Sequence, residues 1–160
     1  MEFIRIKNFI DSKWEEEIDV EYVPLFNPST GEQIGEVPLS TNKTSLRAVE
    51  SSGRAFELWR KMSISKRMGY IFAMRSAMEN NAEELAVSIA VDQAKHISEA
   101  RGEVAPFNFP ALVFGWFIPW AIGVGNTFVY KPSTQSPLFM QKMGEIFNEI
   151  NLPPGVVNII

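Results

Sequence analysis

Apolar residues change rhythm three times along the 160 positions of the chain. The first forty residues read as β structure. Ile6 to Ile10 is a short apolar run, and Val23-Pro24-Leu25-Phe26 is followed by Asn27-Pro28-Ser29-Thr30-Gly31 and then Gln33 to Val37. Asn-Pro presets a turn and Gly31 supplies the positive φ that a returning strand needs, so the spacing predicts a hairpin. Three helical stretches follow. Thr41, Asn42 or Thr44 opens the first, where Leu46, Val49, Phe56 and Trp59 recur on one face; Ser63 or Ser65 opens the second, with Met68, Ile71, Phe72 and Met78 as its stripe. Asn81, with Glu84 three residues later, has the form of a capping box at the head of the third, which carries Leu85, Ala86 and Ile89.

Beyond these, helix and strand alternate. Pro110 to Val124 predicts an apolar helix closed by Gly125-Asn126, Thr127 to Tyr130 a short strand, and Pro137 to Glu149 an amphipathic helix with Ser136 as N-cap. Pro153-Pro154-Gly155 closes that helix, and Val156 to Ile160 is a second apolar strand. The order α-β-α-β predicts an α/β fold with parallel strands joined by crossover helices. Such a unit normally begins with a strand. Ala100-Arg101-Gly102-Glu103-Val104 instead reads as the end of a helix, so the parallel sheet is expected to be incomplete.

Charge divides the chain at residue 104. Of the 15 basic and 19 acidic residues, all but Lys131, Lys142, Glu145 and Glu149 come before residue 105. The chain is therefore expected to divide into 1–104, the hairpin and three helices, and 105–160, the α-β-α-β segment. The uncharged run from Ala105 to Tyr130 exceeds the ~20 residues of a membrane span. Pro106, Pro110, Pro119, Gly115, Gly123, Gly125, Asn108 and Asn126 interrupt it, and no lysine or arginine cluster orients its C-terminal end, so a buried helix and no membrane partner are expected. A net charge of −4 argues against a nucleic-acid partner. Nothing after Met1 has the pattern of a secretory signal, which points to the cytoplasm. The absence of cysteine excludes disulfides, thiolate zinc sites and thiolate catalysis within these residues. His96 is the one histidine, so a transition-metal site would rest on carboxylates, and none is predicted.

Two polar residues interrupt the uncharged stretch. Asn108, in Ala105-Pro106-Phe107-Asn108-Phe109-Pro110, has an amide able to donate to a developing oxyanion, although its position alone favours capping the helix that follows. Lys131 follows a strand end directly. At the carboxyl edge of a parallel strand, its ammonium can hold a ribose hydroxyl or phosphate, or simply extend from an apolar edge into water. His96, beside Lys95 late in the third helix, has no second ligand or nucleophile at a useful spacing.

These motifs together resemble the aldehyde dehydrogenases, and among them most closely the CoA-acylating methylmalonate-semialdehyde dehydrogenases. The resemblance runs through Asn27-Pro28-Ser29-Thr30-Gly31-Glu32, Gln93-Ala94-Lys95, where the family usually has glycine before lysine, and Glu99-Ala100-Arg101-Gly102-Glu103-Val104. It resumes at Ala105-Pro106-Phe107-Asn108-Phe109-Pro110, Gly125-Asn126-Thr127-Phe128-Val129-Tyr130-Lys131-Pro132-Ser133 and Leu152-Pro153-Pro154-Gly155-Val156-Val157-Asn158.

The resemblance implies a partial NAD-binding, Rossmann-type domain. In it Asn108 takes the oxyanion-hole position, with Phe107 before it in the active-site loop. Lys131 binds the adenosine ribose of NAD, and Pro132 and Ser133 shape that turn. Thr134 stands where the family usually has a glutamate that accepts from the ribose hydroxyls. It also implies an internal deletion between Val104 and Ala105, and a catalytic domain, with its nucleophilic cysteine and general-base glutamate, that these residues do not include. The family reaction is NAD-dependent oxidation of an aldehyde or semialdehyde with CoA as acyl acceptor. Small-molecule aldehyde and CoA are therefore partners only of the complete enzyme. The chain alone is expected to be inactive, acting in a split enzyme with a second chain, or as a binding or assembly module that associates with itself or others; a membrane-associated hydrophobic protein built on Ala105 to Tyr130 is the second alternative.

Overall fold

The computed structural model describes residues 3–104 and 111–160. Its strands form two small sheets, and helices pack around the second. Strands β1 (Ile4–Arg5), β5 (Gln33–Pro38) and β4 (Tyr22–Phe26) form a three-stranded sheet in the order β1-β5-β4. β2 (Asn8–Ile10), β3 (Lys13–Glu15), β6 (Phe128–Tyr130) and β7 (Val157–Ile159) form a four-stranded sheet in the order β3-β2-β7-β6.

The predicted hairpin is β4–β5. Its strands are antiparallel, and the turn is fixed by the Asn27 carbonyl accepting from Gly31 N–H at 2.8 Å and by Asn27 Oδ1 accepting from Ser29 N–H at 2.9 Å, with Gly31 at φ 73°. A second hairpin, β2–β3, has no glycine or proline to announce it. Asp11 and Ser12 both take positive φ, 53° and 60°, giving the left-handed pair that matches strand twist in a two-residue turn. The expected parallel pair is present, with Phe128, Val129 and Tyr130 of β6 beside Val157, Asn158 and Ile159 of β7. The N-terminal strand β2 then adds antiparallel to the other side of β7 through Phe9 and Ile159, so the sheet is mixed.

The helices are α1 (Asn42–Trp59), α2 (Ile64–Asn80), α3 (Ala82–Gln93), α4 (Ile97–Val104), α5 (Ala111–Gly123) and α6 (Leu138–Glu149). Thr41 and Ser63 cap α1 and α2 by accepting from the N–H of Thr44 and Lys66. Asn81 makes no such cap. Its amide donates to the Ala77 carbonyl at 2.8 Å, so the residue closes α2 rather than opening α3. α3 ends at Ala94, which is left-handed at φ 54°, and His96 therefore precedes α4 instead of lying within α3; its ring Nδ1 meets Ser98.

The main core joins Phe9, Trp59, Met74, Met78, Leu85, Ala86 and Ile89 to Phe114, Ile118, Ile122, Phe139, Met143, Phe147 and Ile159. Two expectations about faces are corrected. Leu46 and Val49 of α1 are 62% and 57% exposed, and Phe72 of α2 is 61% exposed, whereas α1 buries Thr44, Ala48, Ser51, Ser52 and Trp59. A polar network replaces apolar packing there. Asn158 of β7, fully buried, donates to the Ala48 carbonyl at 3.1 Å and to Ser52 Oγ at 2.9 Å, and accepts from Asp11 N–H at 3.0 Å. The second correction concerns α5, which buries Phe114, Ile118 and Ile122 but presents Trp116, Phe117 and Trp120 to solvent. Among the described residues, no helix is long and apolar enough to cross a membrane.

Candidate functional site

The segment between β6 and α6 carries the residues singled out for nucleotide contact. Tyr130 at the end of β6 is pinned where its carbonyl accepts from Ile160 N–H at 3.0 Å, so the chain leaves the sheet at a fixed point. Ser133 closes the turn that follows: its Oγ accepts from Gln135 N–H and its carbonyl from Ser136 N–H, each at 3.2 Å. Lys131, Pro132, Ser133 and Thr134 all line a cleft of ≈ 110 Å³. Val37 to Ser40, Lys7, Asn8 and Gln141 line the same cleft. Gln141 holds α6 to the β1–β2 connection by accepting from Lys7 N–H at 3.2 Å and donating to the Lys7 carbonyl at 2.8 Å.

Lys131 is exposed, and among the described residues its ammonium meets the neighbouring Pro132 carbonyl at 3.4 Å and no other partner. It is therefore available to an incoming acceptor. Thr134 is half-buried beside it. The cleft is well below the ~300 Å³ at which small-molecule pockets begin, so it is too small to enclose a whole nucleotide. The residues present fit the ribose end of NAD.

A phosphate on the first turn of α6 does not fit. Asp92, at the end of α3 and 5% exposed, places Oδ2 2.8 Å from Leu138 N–H, and the Phe139 N–H also points to this carboxylate. An internal carboxylate thus occupies the anion site that a helix N-terminus offers. It also replaces the expected Ser136 cap: the residue before α6 is Pro137, and no side chain within the turn closes the helix. Burial raises the Asp92 carboxyl from 3.8 to about 7, outweighing the two backbone N–H bonds that lower it. Its Oδ1 is buried without a hydrogen-bond partner.

Sequence reasoning passed over Asp92, although the signal was there. Asp92 stands seven residues after Leu85 and three after Ile89, on the buried stripe of α3. Arg67 was missed as well. This buried residue of α2 donates from Nε to the Gly123 carbonyl at 3.0 Å and from Nη1 to the Met62 carbonyl, fixing the α5–β6 corner that precedes Lys131. Asn108 and Phe107 lie outside the described residues.

Known proteins share the fold of this chain. Malonate-semialdehyde dehydrogenase of Listeria monocytogenes serotype 4a is 32% identical over 200 aligned residues, which take in 98% of this chain and 41% of that protein. The crystal structure of methylmalonate-semialdehyde dehydrogenase from Oceanimonas doudoroffii superposes with a TM-score of 0.91 at 26% identity, over 100% of this chain and 41% of that one. A Sinorhizobium meliloti 1021 protein solved in complex with NAD gives a TM-score of 0.92 at 24% identity, over 99% of this chain and 41% of that one.

The chain thus spans about two fifths of the length of these relatives. The aligned length also exceeds the chain's own, so the Listeria enzyme has residues with no counterpart here. The family profile matches in two blocks, 14–105 and 102–160, which meet where the charge density falls and where the expected deletion lies. Since the two blocks together take in every residue from Trp14 onward, the chain belongs to the aldehyde dehydrogenase family.

Proposed function

We propose that this chain supplies the adenosine side of an NAD-dependent cofactor domain belonging to a semialdehyde dehydrogenase, and that it does not complete the oxidation by itself. The observation that carries this reading is the placement of Lys131. Its ammonium, with no carboxylate partner among the described residues, stands just past the carboxyl end of β6 and lines a cleft with Ser133 and Thr134. Ligands of open parallel sheets gather at such strand ends.

Lys131 donates to the ribose hydroxyls, and Thr134 accepts from them in place of a carboxylate. Pro132 and Ser133 hold the turn so that both side chains face the sugar. A neutral hydroxyl repels a 2′-phosphate less than a carboxylate does, so discrimination between NAD and NADP is weak. Bound NAD supplies the hydride acceptor of the family reaction. The aldehyde, such as methylmalonate semialdehyde, and CoA belong to the complete enzyme, in which Asn108 is the oxyanion donor. Without cysteine, these 160 residues hold no thiolate to attack an aldehyde carbonyl, and a serine without a base is a poor substitute at neutral pH.

Titration with NAD and NADP, followed by the fluorescence of the four tryptophans, tests the reading. Saturable quenching by both, lost at least tenfold in Lys131→Ala, is the expected result. Identical titrations of the two proteins remove Lys131 from the site. Formation of NADH from propanal or methylmalonate semialdehyde with CoA would refute the claim that the chain does not turn over.

A further inference from the structure

We infer that the chain pairs with a second copy of itself through the open edge of β6 and the aromatic stripe of α5. β6 is an outer strand of its sheet, and among the described residues no strand lies on its far side. The register fixes which groups are bare. Phe128 N–H donates to the Val156 carbonyl at 2.8 Å and the Tyr130 carbonyl accepts from Ile160 N–H at 3.0 Å, so alternation turns the N–H and C=O of Val129 outward. Bare edges of this kind template further strands unless charge, proline or a bulge blunts them, and Phe128-Val129-Tyr130 has none of these.

The helix leading into this strand is bare in the same way. Trp116, Phe117, Trp120 and Val124 are 56%, 56%, 75% and 69% exposed and recur at spacings of one, four and eight, which puts them on one face opposite the buried Phe114, Ile118 and Ile122. The stripe ends at Val124, at the corner that becomes β6. Aromatic side chains bury about 150–250 Å² each, so the stripe offers roughly 400–500 Å² per copy, and with the paired edges a two-fold dimer passes the ~1,000 Å² expected of a specific interface.

A second copy also satisfies the electrostatics. Antiparallel pairing centred on Val129 sets Phe128 opposite Tyr130 and Lys131 opposite Thr127, so no like charges meet across the two-fold axis. Exposed patches of this size on a small chain mark contact surfaces.

Sedimentation velocity of the 160-residue chain across 1–100 μM is the test. The expected result is a reversible dimer, weakened about thirtyfold or more in Trp120→Glu, as for a central aromatic anchor, and in Val129→Pro, which removes the outward donor without touching the β6–β7 ladder. Leu58→Glu, exposed on α1, leaves association unchanged. If Val129→Pro loses its far-ultraviolet dichroism, Trp120→Glu decides alone, since that side chain is three-quarters exposed. A monomer throughout, a dimer indifferent to Trp120→Glu, or a monomer that co-sediments with vesicles of phosphatidylcholine and phosphatidylglycerol would overturn the inference.

Discussion

Asp92 makes this fold less stable as pH rises, and Asp92→Asn removes that dependence. Its carboxyl titrates at about 7 in the folded chain and near the ordinary 3.8 once unfolded. Between these values the unfolded state has released the proton and the folded state has kept it. Unfolding therefore releases protons, and stability falls with rising pH until the folded carboxyl has also ionised. The contribution is fully favourable below pH 4 and lost above pH 7. Each unit of difference corresponds to about 1.4 kcal/mol, so the full span is about 4 kcal/mol, of which about 2–3 kcal/mol falls between pH 5 and pH 8. No charged neighbour contributes to the shift; burial raises it, and the N–H groups of Leu138 and Phe139 oppose it.

Asparagine keeps an oxygen for Leu138 N–H and places an amide where the unpartnered Oδ1 lies, so it imitates the protonated acid. Urea unfolding at pH 5, 6, 7 and 8, read by tryptophan fluorescence at low micromolar concentration, measures both proteins. The wild type should lose about 2–3 kcal/mol across that range relative to Asp92→Asn, and the variant should be the more stable protein at pH 8. Parallel pH profiles for the two would refute the reasoning, because then the carboxylate is not ionised against its burial.

Two further substitutions test the connections that lead into β7 and β6. Gly155 has φ 81°, and a Cβ there would lie 2.8 Å from both the carbonyl and the hydroxyl oxygen of Ser51, so Gly155→Ala should cost about 2–3 kcal/mol in the same urea assay. Arg67→Ala leaves the Gly123 and Met62 carbonyls without their donor and should cost about 2–4 kcal/mol; Arg67→Lys should recover less than half of that, because an ammonium does not reproduce the guanidinium fork, and full recovery would contradict the geometry.

What could be read in the sequence was local. Asn27 to Gly31 encodes the β4–β5 turn in its own residues, Thr41 and Ser63 cap the helices they precede, and Leu85, Ala86 and Ile89 are buried as their spacing requires. The residues from Lys131 to Thr134 are contiguous, so their meeting in one cleft could be foreseen, whereas Val37 to Ser40, which line the same cleft, come from the end of β5 in the other sheet and the residues after it. Periodicity failed where burial is polar. It assigned Leu46 and Val49 to the core because they are apolar, but α1 faces Asn158 and therefore buries Ser51 and Ser52. No local pattern encodes that pairing, nor the meeting of Phe9 with Ile159 across almost the whole chain.

The two edges of the four-stranded sheet are unlike, and the difference separates nucleotide contact from association. β3 ends one side as a three-residue strand carrying Lys13 and Glu15, the short charged edge that resists further pairing. β6 ends the other side without a charge, next to a helix whose aromatic stripe is bare. The two blocks of the family profile overlap at 102–105, just before that helix and well before Lys131 in the chain. Lys131 follows a strand end pinned by Ile160 N–H and lines a cleft together with residues of α6, β7 and the N-terminal strands. Trp120→Glu should therefore abolish association and leave the NAD titration unchanged, and Lys131→Ala should do the reverse. If either substitution moved both readouts, the edge and the cleft would have to be one coupled site, and the separation drawn from the sheet order would be wrong.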